Sequence, residues 1–470
     1  MIKSEKFGLS HAQLQTLVAE GLKAGGDWCD LYFEDTSYCD LLLRDSEVTS
    51  GGFHVDYGCG VRVLSGEKTG YAYSESTDFP SLLGAARAAS SIASSGGVPP
   101  APRHTVRLPS RSGIYSMKRD WRDASAKEFV PALEKIDREI RRRDNRVIKV
   151  TAMLSYSVSE VLMYNSLGEL ASDCRPLGSI SVTAVFKQGE RMETNSVSRS
   201  LRTGSEMVSD EILEDLIKRA VEGMDSRFEA RRPKGGKMSV VMGAGASGIL
   251  LHEAMGHAFE ADFNRKGQSI FADKMGKRVC RKGINIVDDG ILPASRGSVA
   301  YDDEGVPGQK TYMVTDGVLT SYLHDRISAR WYGVPPTGNG RRESFRYNPI
   351  PRMRATYMEN GTDGTLDDLI GSVSKGIYVN QFANGQVKIG EGDFTFYVKS
   401  GFLIEKGRLT MPVKDINIIG NGPQALRDIR AVASDLRIDE GTWTCGKEQS
   451  VAVSCGIPSV LVGNLTAGGE

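Results

Sequence analysis

Ser247-Gly248-Ile249-Leu250-Leu251-His252-Glu253-Ala254-Met255-Gly256-His257-Ala258-Phe259-Glu260 is the stretch on which the reading of this 470-residue chain turns. Its apolar residues predict a helix with Ser247 as N-cap. Within it lies His-Glu-x-x-x-His. Neutral imidazoles are good zinc ligands, and a carboxylate beside them can take a proton from a water at the metal. The better-known spacing sets the two histidines four apart on one helical face; here His252 and His257 are five apart. At about 100° per residue an ideal α-helix would set them roughly 140° apart, too far round to aim both rings at one ion. The motif therefore requires either a π-bulge or a helix distorted near Gly256, the residue most tolerant of irregular backbone. A catalytic zinc keeps three protein ligands and one open position. Candidates for the third ligand are the nearby acids Glu260 and Asp262 and the distant Cys445 and Cys455. Either cysteine can equally be a small buried hydrophobe, and spacing leaves the choice open.

Directly upstream, Gly243-Ala244-Gly245-Ala246-Ser247-Gly248 matches G-x-G-x-x-G between a predicted strand, Ser239 to Met242, and the helix. That is the setting of a dinucleotide fingerprint, so the rival reading is an oxidoreductase with a nicotinamide or flavin cofactor. The continuation argues against it. A βαβ unit needs a second strand ending in an acid about 20 residues on, whereas Ala261-Asp262-Phe263-Asn264-Arg265-Lys266-Gly267-Gln268 is polar and turn-like. The glycines are better explained by a helix start packed tightly on neighbouring backbone.

Further downstream the pattern is mostly β. Thr311–Val314 and Val318–Thr320 flank Asp316-Gly317, and Phe402–Ile404 and Leu409–Met411 flank Lys406-Gly407, both hairpin signals. Upstream, Leu14, Leu17, Val18 and Leu22 predict a helix behind Ser10; Leu31 to Tyr73 reads as short runs broken by glycine; and a second helix follows Pro80. Ser94 to Pro102 is too rich in Pro and Gly for helix or central strand and reads as a linker. Phe129, Leu133, Ile136 and Ile140 share a helical face, Ile180, Val182, Ala184 and Phe186 alternate as in a half-buried strand, and a helix follows Asp210. Arg231 to Lys237 reads as another boundary. The fold class is α+β: a mixed N-terminal region of helices and antiparallel strands, then a β-rich C-terminal catalytic domain carrying the metal helix. The expected divisions are 1–110, 111–232 and 233–470.

Lys plus Arg and Asp plus Glu are both 59, so bulk charge offers no means of capturing nucleic acid or an anionic membrane. No stretch approaches the roughly 20 apolar residues of a membrane span, and the first residues lack the apolar core of a signal. Seven scattered cysteines without paired spacing read as reduced thiols of a cytoplasmic enzyme.

Several stretches together resemble the TldD/PmbA family of metallopeptidases. They are His252 to His257 with Glu260 to Gly267, Asp302 to Gly308, Pro336 to Ser344, Cys445-Gly446-Lys447-Glu448 and Asn464 to Gly469. The likeness runs through nearly the whole chain and is densest from about residue 238. Because the two histidines and the glutamate are present, the chain is similar to the metal-bearing TldD type, and not to the metal-free PmbA (TldE) type. The resemblance implies one zinc per chain held by His252, His257 and Cys445, with Glu253 as general base. It also implies small or unfolded peptides as substrates, and a homodimer or a heterodimer with a metal-free paralogue. One departure is that Glu448 precedes Gln449 directly, where family members commonly have an intervening glycine. Arg341 and Arg342 are candidates for binding a substrate carboxylate or developing negative charge, or else form a structural or solvated pair. Edge strands of the β-rich domain are expected to pair with an extended peptide. A non-catalytic, partner-binding role is the remaining alternative.

Overall fold

The computed structural model describes residues 6–92, 102–111, 113–388 and 390–468; apart from Pro102, the expected linker lies outside them. The N-terminal and middle segments build one antiparallel sheet. Trp28–Arg44 pairs with Glu47–Ser65 on one side and with Val147–Asn165 on the other, and Lys68–Ser74, Glu169–Gln188 and Arg191–Leu201 extend it. The strands are longer than the glycine-broken pattern suggested. Their first turn is Asp45-Ser46, both residues at positive φ (49° and 70°), the twisted two-residue hairpin normally marked by Asn-Gly or Asp-Gly. Nor do the glycines break the strand. A Cβ on Gly58 would lie 2.4 Å from the Phe345 ring, so the missing side chain is the seat of a residue from the far end of the fold.

Alternation then decides what each face of the sheet covers. Leu31 and Phe33 pack under the helices His11–Leu22 and Phe79–Ile92. Leu41 and Leu43, on the same face further along, pack under Val130–Arg143 and Asp210–Val221. The opposite face presents Tyr32, Val161, Met163 and Ala171 to Ala300, Tyr301 and Phe345 of the C-terminal region. Buried ion pairs reinforce this junction. Arg62, wholly buried, joins Asp30 at 2.5 Å to Glu304 at 2.7 Å, and Arg175 reaches Asp303 at 2.6 Å.

In the C-terminal region, Lys375–Val387, Gly236–Met242, Val460–Gly468, Ile416–Asn421 and Asp393–Glu405 pair in that order, and the last returns to the first, closing a barrel. Closure removes most of the edges that an extended peptide was expected to pair with; Arg408–Val413 remains as a flanking strand. A second, six-stranded sheet runs from Val318–Leu319 through Lys310–Thr315, Ile286–Asp289, Ala355–Met358 and Ser454–Ile457 to Arg437–Asp439. Both glycine hairpins form as expected, with Asp316 and Gly317, and Lys406 and Gly407, all at positive φ. The fold is α+β. Among the described residues, no helix is long and apolar enough to cross a membrane.

Candidate metal centre

The segment from Ala246 to Phe259 is a succession of different turns: a 3₁₀ turn (Ala246–Gly248), an α turn (Ile249–Leu251), a π turn (His252–Gly256) and another 3₁₀ turn (His257–Phe259). The π turn is what the five-residue spacing required: the His257 N–H donates to the His252 carbonyl, and the wider turn brings the two rings together. Their centroids are 5.1 Å apart.

Two details differ from the sequence expectation. Ser247 caps nothing; its hydroxyl is buried without a hydrogen-bond partner among the described residues, and Gly245, at φ 90°, begins the segment instead. Gly256 is ordinary helical backbone (φ −55°). Its requirement is space, because a Cβ there would lie 2.1 Å from Met353 Sδ. A Cβ on Gly248 would likewise lie 2.6 Å from the Gly456 backbone, so this glycine of the G-x-G-x-x-G run serves packing, while Gly245 supplies the positive-φ turn. The strand Gly236–Met242 joins the barrel and is not followed by a βαβ crossover.

The third donor comes from the hairpin Thr444–Lys447 and Gln449–Ala452. Ligand atoms of His252, His257 and Cys445 all lie within 4.8 Å of one another, and Cys445 Sγ is 3.2 Å from His257 Nε2. All three side chains are buried. Glu448 turns this hairpin at φ 57°, so the shortened motif leaves a non-glycine residue in the left-handed conformation that glycine tolerates best. Two buried arginines hold the hairpin in place. Arg352 donates to the carbonyls of Cys445 (2.6 Å) and Gln449 (2.8 Å), and Arg341 to those of Met353 (2.6 Å) and Ala452 (2.8 Å). Cys455, the other candidate, is buried in the strand Ser454–Ile457, where burial pushes its thiol well up, and it is not in the cluster.

Neither Glu260 nor Asp262 is among the clustered donors; both stand behind them. Glu260 Oε2 accepts from His257 Nδ1 and Lys447 Nζ, each at 3.0 Å, and Lys447 also reaches Asp262 at 2.8 Å. A proton held on Nδ1 by the carboxylate leaves the Nε2 lone pair for an ion, the usual support behind a metal-binding histidine. Burial would raise the Glu260 carboxyl, but Lys447 and His257 outweigh it and hold it at about 2. Burial also opposes a thiolate on Cys445, yet the adjacent His252 and His257 bring it down to about 5. Two imidazoles and a low-lying thiol fit zinc chemistry, since the ligand form of cysteine is the thiolate. Glu253 lies half-buried beside them; burial raises its carboxyl against the pull of His252 and His257. A raised carboxyl next to an ion is suited to exchange protons near neutral pH.

Arg341 and Arg342 are both buried. Arg341 is committed to the carbonyls named above. Arg342 donates to the Asp303 carbonyl at 2.9 Å and lies over the Tyr32 ring at 4.3 Å. The structural alternative for this pair is therefore the one the contacts favour, and neither guanidinium is turned to the metal cluster. Lys447 and Arg352 were not picked out for a role at the site; their contacts with Glu260 span 187 positions and about half that distance in sequence, beyond the reach of local spacing.

A histidine pair on a widened turn, a thiol from a distant strand and an adjacent raised carboxyl form a candidate metal centre in an α+β fold with a β-barrel. Comparison with known proteins agrees. Residues 29–93, 119–224 and 235–469 match, respectively, domain 1, the central domain and the C-terminal domain described for PmbA/TldA metallopeptidases. The chain is 40% identical to a metalloprotease TldD homologue of Haemophilus influenzae over 94% of its own length and 93% of the relative's. It is 32% identical to a zinc metalloprotease TldD homologue of Saccharolobus solfataricus over 62% of its length and 65% of the relative's. Among solved structures, TldE from Thermococcus kodakarensis superposes with a TM-score of 0.77 at 19% identity, covering 97% of this chain and 100% of that one. A Thermotoga maritima protein crystallised as a candidate modulator of a DNA gyrase gives 0.79 at 23%, covering 97% and 99%. The chain belongs to the PmbA/TldD metallopeptidase family.

Proposed function

We propose that this chain hydrolyses peptide bonds in small or unfolded polypeptides, with one zinc held by His252, His257 and Cys445. The observation that carries the proposal is the gathering of these three donors within 4.8 Å on a π turn and a hairpin that sequence separates by 188 positions. A zinc ion bound there supplies the Lewis acidity for amide hydrolysis. Glu253 takes the proton of the attacking water and passes it to the leaving amine. Glu260, backed by Lys447, fixes the tautomer of His257, while Arg341 and Arg352 hold the Cys445 hairpin against the helix.

The names of the relatives support the peptidase reading, and one of them carries the word zinc. The likeness to a TldE structure is in keeping with pairing to a metal-free paralogue, the alternative being a second copy. The absence of a disulfide among the described residues, which include all seven cysteines, favours a reducing, cytoplasmic setting. We keep 1–110, 111–232 and 233–470 as the proposed divisions, the first two sharing a sheet.

Purified protein is expected to contain about one zinc per chain, lost in His252→Ala. Its cleavage of unstructured peptides, assayed alone and with a metal-free paralogue, should stop with chelator and in Glu253→Gln. Glu253→Gln should retain the metal, with cleavage about 100-fold slower or worse. Native protein without metal, or undiminished cleavage by Glu253→Gln, would refute the assignment.

A further inference from the structure

A sizeable cleft lies away from the three clustered donors. It has a volume of 530 Å³ between the central sheet with its helix Asp210–Val221 and the C-terminal strands, and its lining includes none of His252, Glu253, His257 or Cys445. That volume is in the range of small-molecule sites. Several charges on its wall are already neutralised by neighbours: Arg199 by Glu440 at 2.7 Å, Arg219 by Asp215 at 3.1 Å, and Lys414 by Glu193.

Of the lining cations without an ion pair among the described residues, Arg437 is exposed, while Arg227 and Lys399 are drawn into the wall. Arg227, more than nine-tenths buried, donates one N–H to the Thr194 carbonyl at 3.0 Å and has no carboxylate within ion-pair distance among the described residues. Lys399, half-buried, donates to the Ser196 carbonyl at 2.9 Å and likewise has no acidic partner. Buried charges are ordinarily paired, since leaving one unpaired costs several kcal/mol or forces it to give up its charge. We propose that this cleft is a binding site for an anionic ligand, with Lys399 and Arg227 receiving a phosphate or carboxylate group.

The electrostatics agree. Burial, then the nearby Arg227 and Arg219, bring the Lys399 ammonium down to about 8, a strain that a bound anion would relieve. Arg227 offers the planar donor fork suited to an oxyanion, and Lys399 a point charge. Asn380 and Ser400 on the wall offer further hydrogen bonds.

The test uses the full-length, zinc-loaded protein and two probes in calorimetry: inorganic phosphate, for a free phosphate-bearing ligand, and triglutamate, for an acidic peptide. Binding of at least one probe is expected. It should weaken about tenfold or more in Lys399→Met and in Arg227→Met. It should persist in the surface variant Lys277→Met and in His257→Ala, the latter separating the cleft from the metal centre. Which probe binds distinguishes the two sources of the anion. Should a variant misfold, the wild-type protein still decides the matter: amine acetylation of Lys399 at about pH 8 should be slowed by the bound probe. Failure of both probes to bind, binding unchanged in the two cleft variants, or acetylation indifferent to both probes would overturn the proposal.

Discussion

Glu260 lies three residues beyond His257, fully buried, and touches the ring from the side opposite Cys445. In the sequence it looked like a ligand, because an acid at that distance from a metal-type histidine can serve either way; only the fold turns its carboxylate to Nδ1. The prediction at this scale follows from that contact. Glu260→Gln should weaken zinc binding about 10- to 100-fold, the usual effect of removing a ligand's outer partner, when measured by competition with a coloured chelator. Unchanged zinc affinity would reduce Glu260 to a structural role. The proposed ligands were legible to different degrees. His252 and His257 stood out by proximity, whereas Cys445 entered only through resemblance, because no rule of spacing links it to a helix so far away. For Arg341 and Arg342 the sequence left substrate binding and a structural pair open, because two adjacent arginines give no sign that one is spent on the carbonyls of Met353 and Ala452.

The π turn that joins the histidines depends on close packing. Gly256→Ala would drive a methyl group into Met353, so it should cost about 1–3 kcal/mol, the range for overpacking a core, when followed by urea unfolding. Combining it with Met353→Ala should cost less than the sum of the two single changes, because the clash and the cavity cancel in part. Simple additivity would show that the glycine is there for another reason. The irregular helix was foreseen because an odd spacing conflicts with a regular period. The helices behind Ser10 and after Asp210 were foreseen because their apolar faces are periodic; Ser10 caps the first, and the structure adds Ser209 as cap of the second. What escaped was the 17- and 19-residue strand pair near the start, since an Asp-Ser turn carries little turn signal and glycines that admit Phe345 look like breaks.

The two halves of the molecule meet across a face that is both apolar and ionic, and Glu34 sits within it. Its carboxylate accepts the Phe345 N–H at 2.8 Å and the Thr36 hydroxyl at 2.7 Å, while burial raises it to about 7. A carboxyl raised in the folded state contributes stability that is fully present below its unfolded value of about 4.5 and is lost as pH rises through about 7. Glu34→Gln fixes the neutral form. The stability of wild type relative to this variant should therefore fall by about 2–3 kcal/mol between pH 5 and pH 8, as read from urea unfolding at both values; a difference independent of pH would mean that Glu34 titrates normally. The closed barrel has a consequence of another kind, for the order in which a ribosome delivers the chain. The strand Val460–Gly468 lies between Gly236–Met242 and Ile416–Asn421, and the thiol of Cys445 emerges 188 residues after the second histidine. A nascent chain halted before residue 445 carries both imidazoles but no third donor, and one halted before 460 has an open barrel. On the proposed ligand assignment, synthesis withholds the third donor until the strands before residue 445 have been made, so a product broken off earlier is expected to hold zinc weakly and to cleave no peptide.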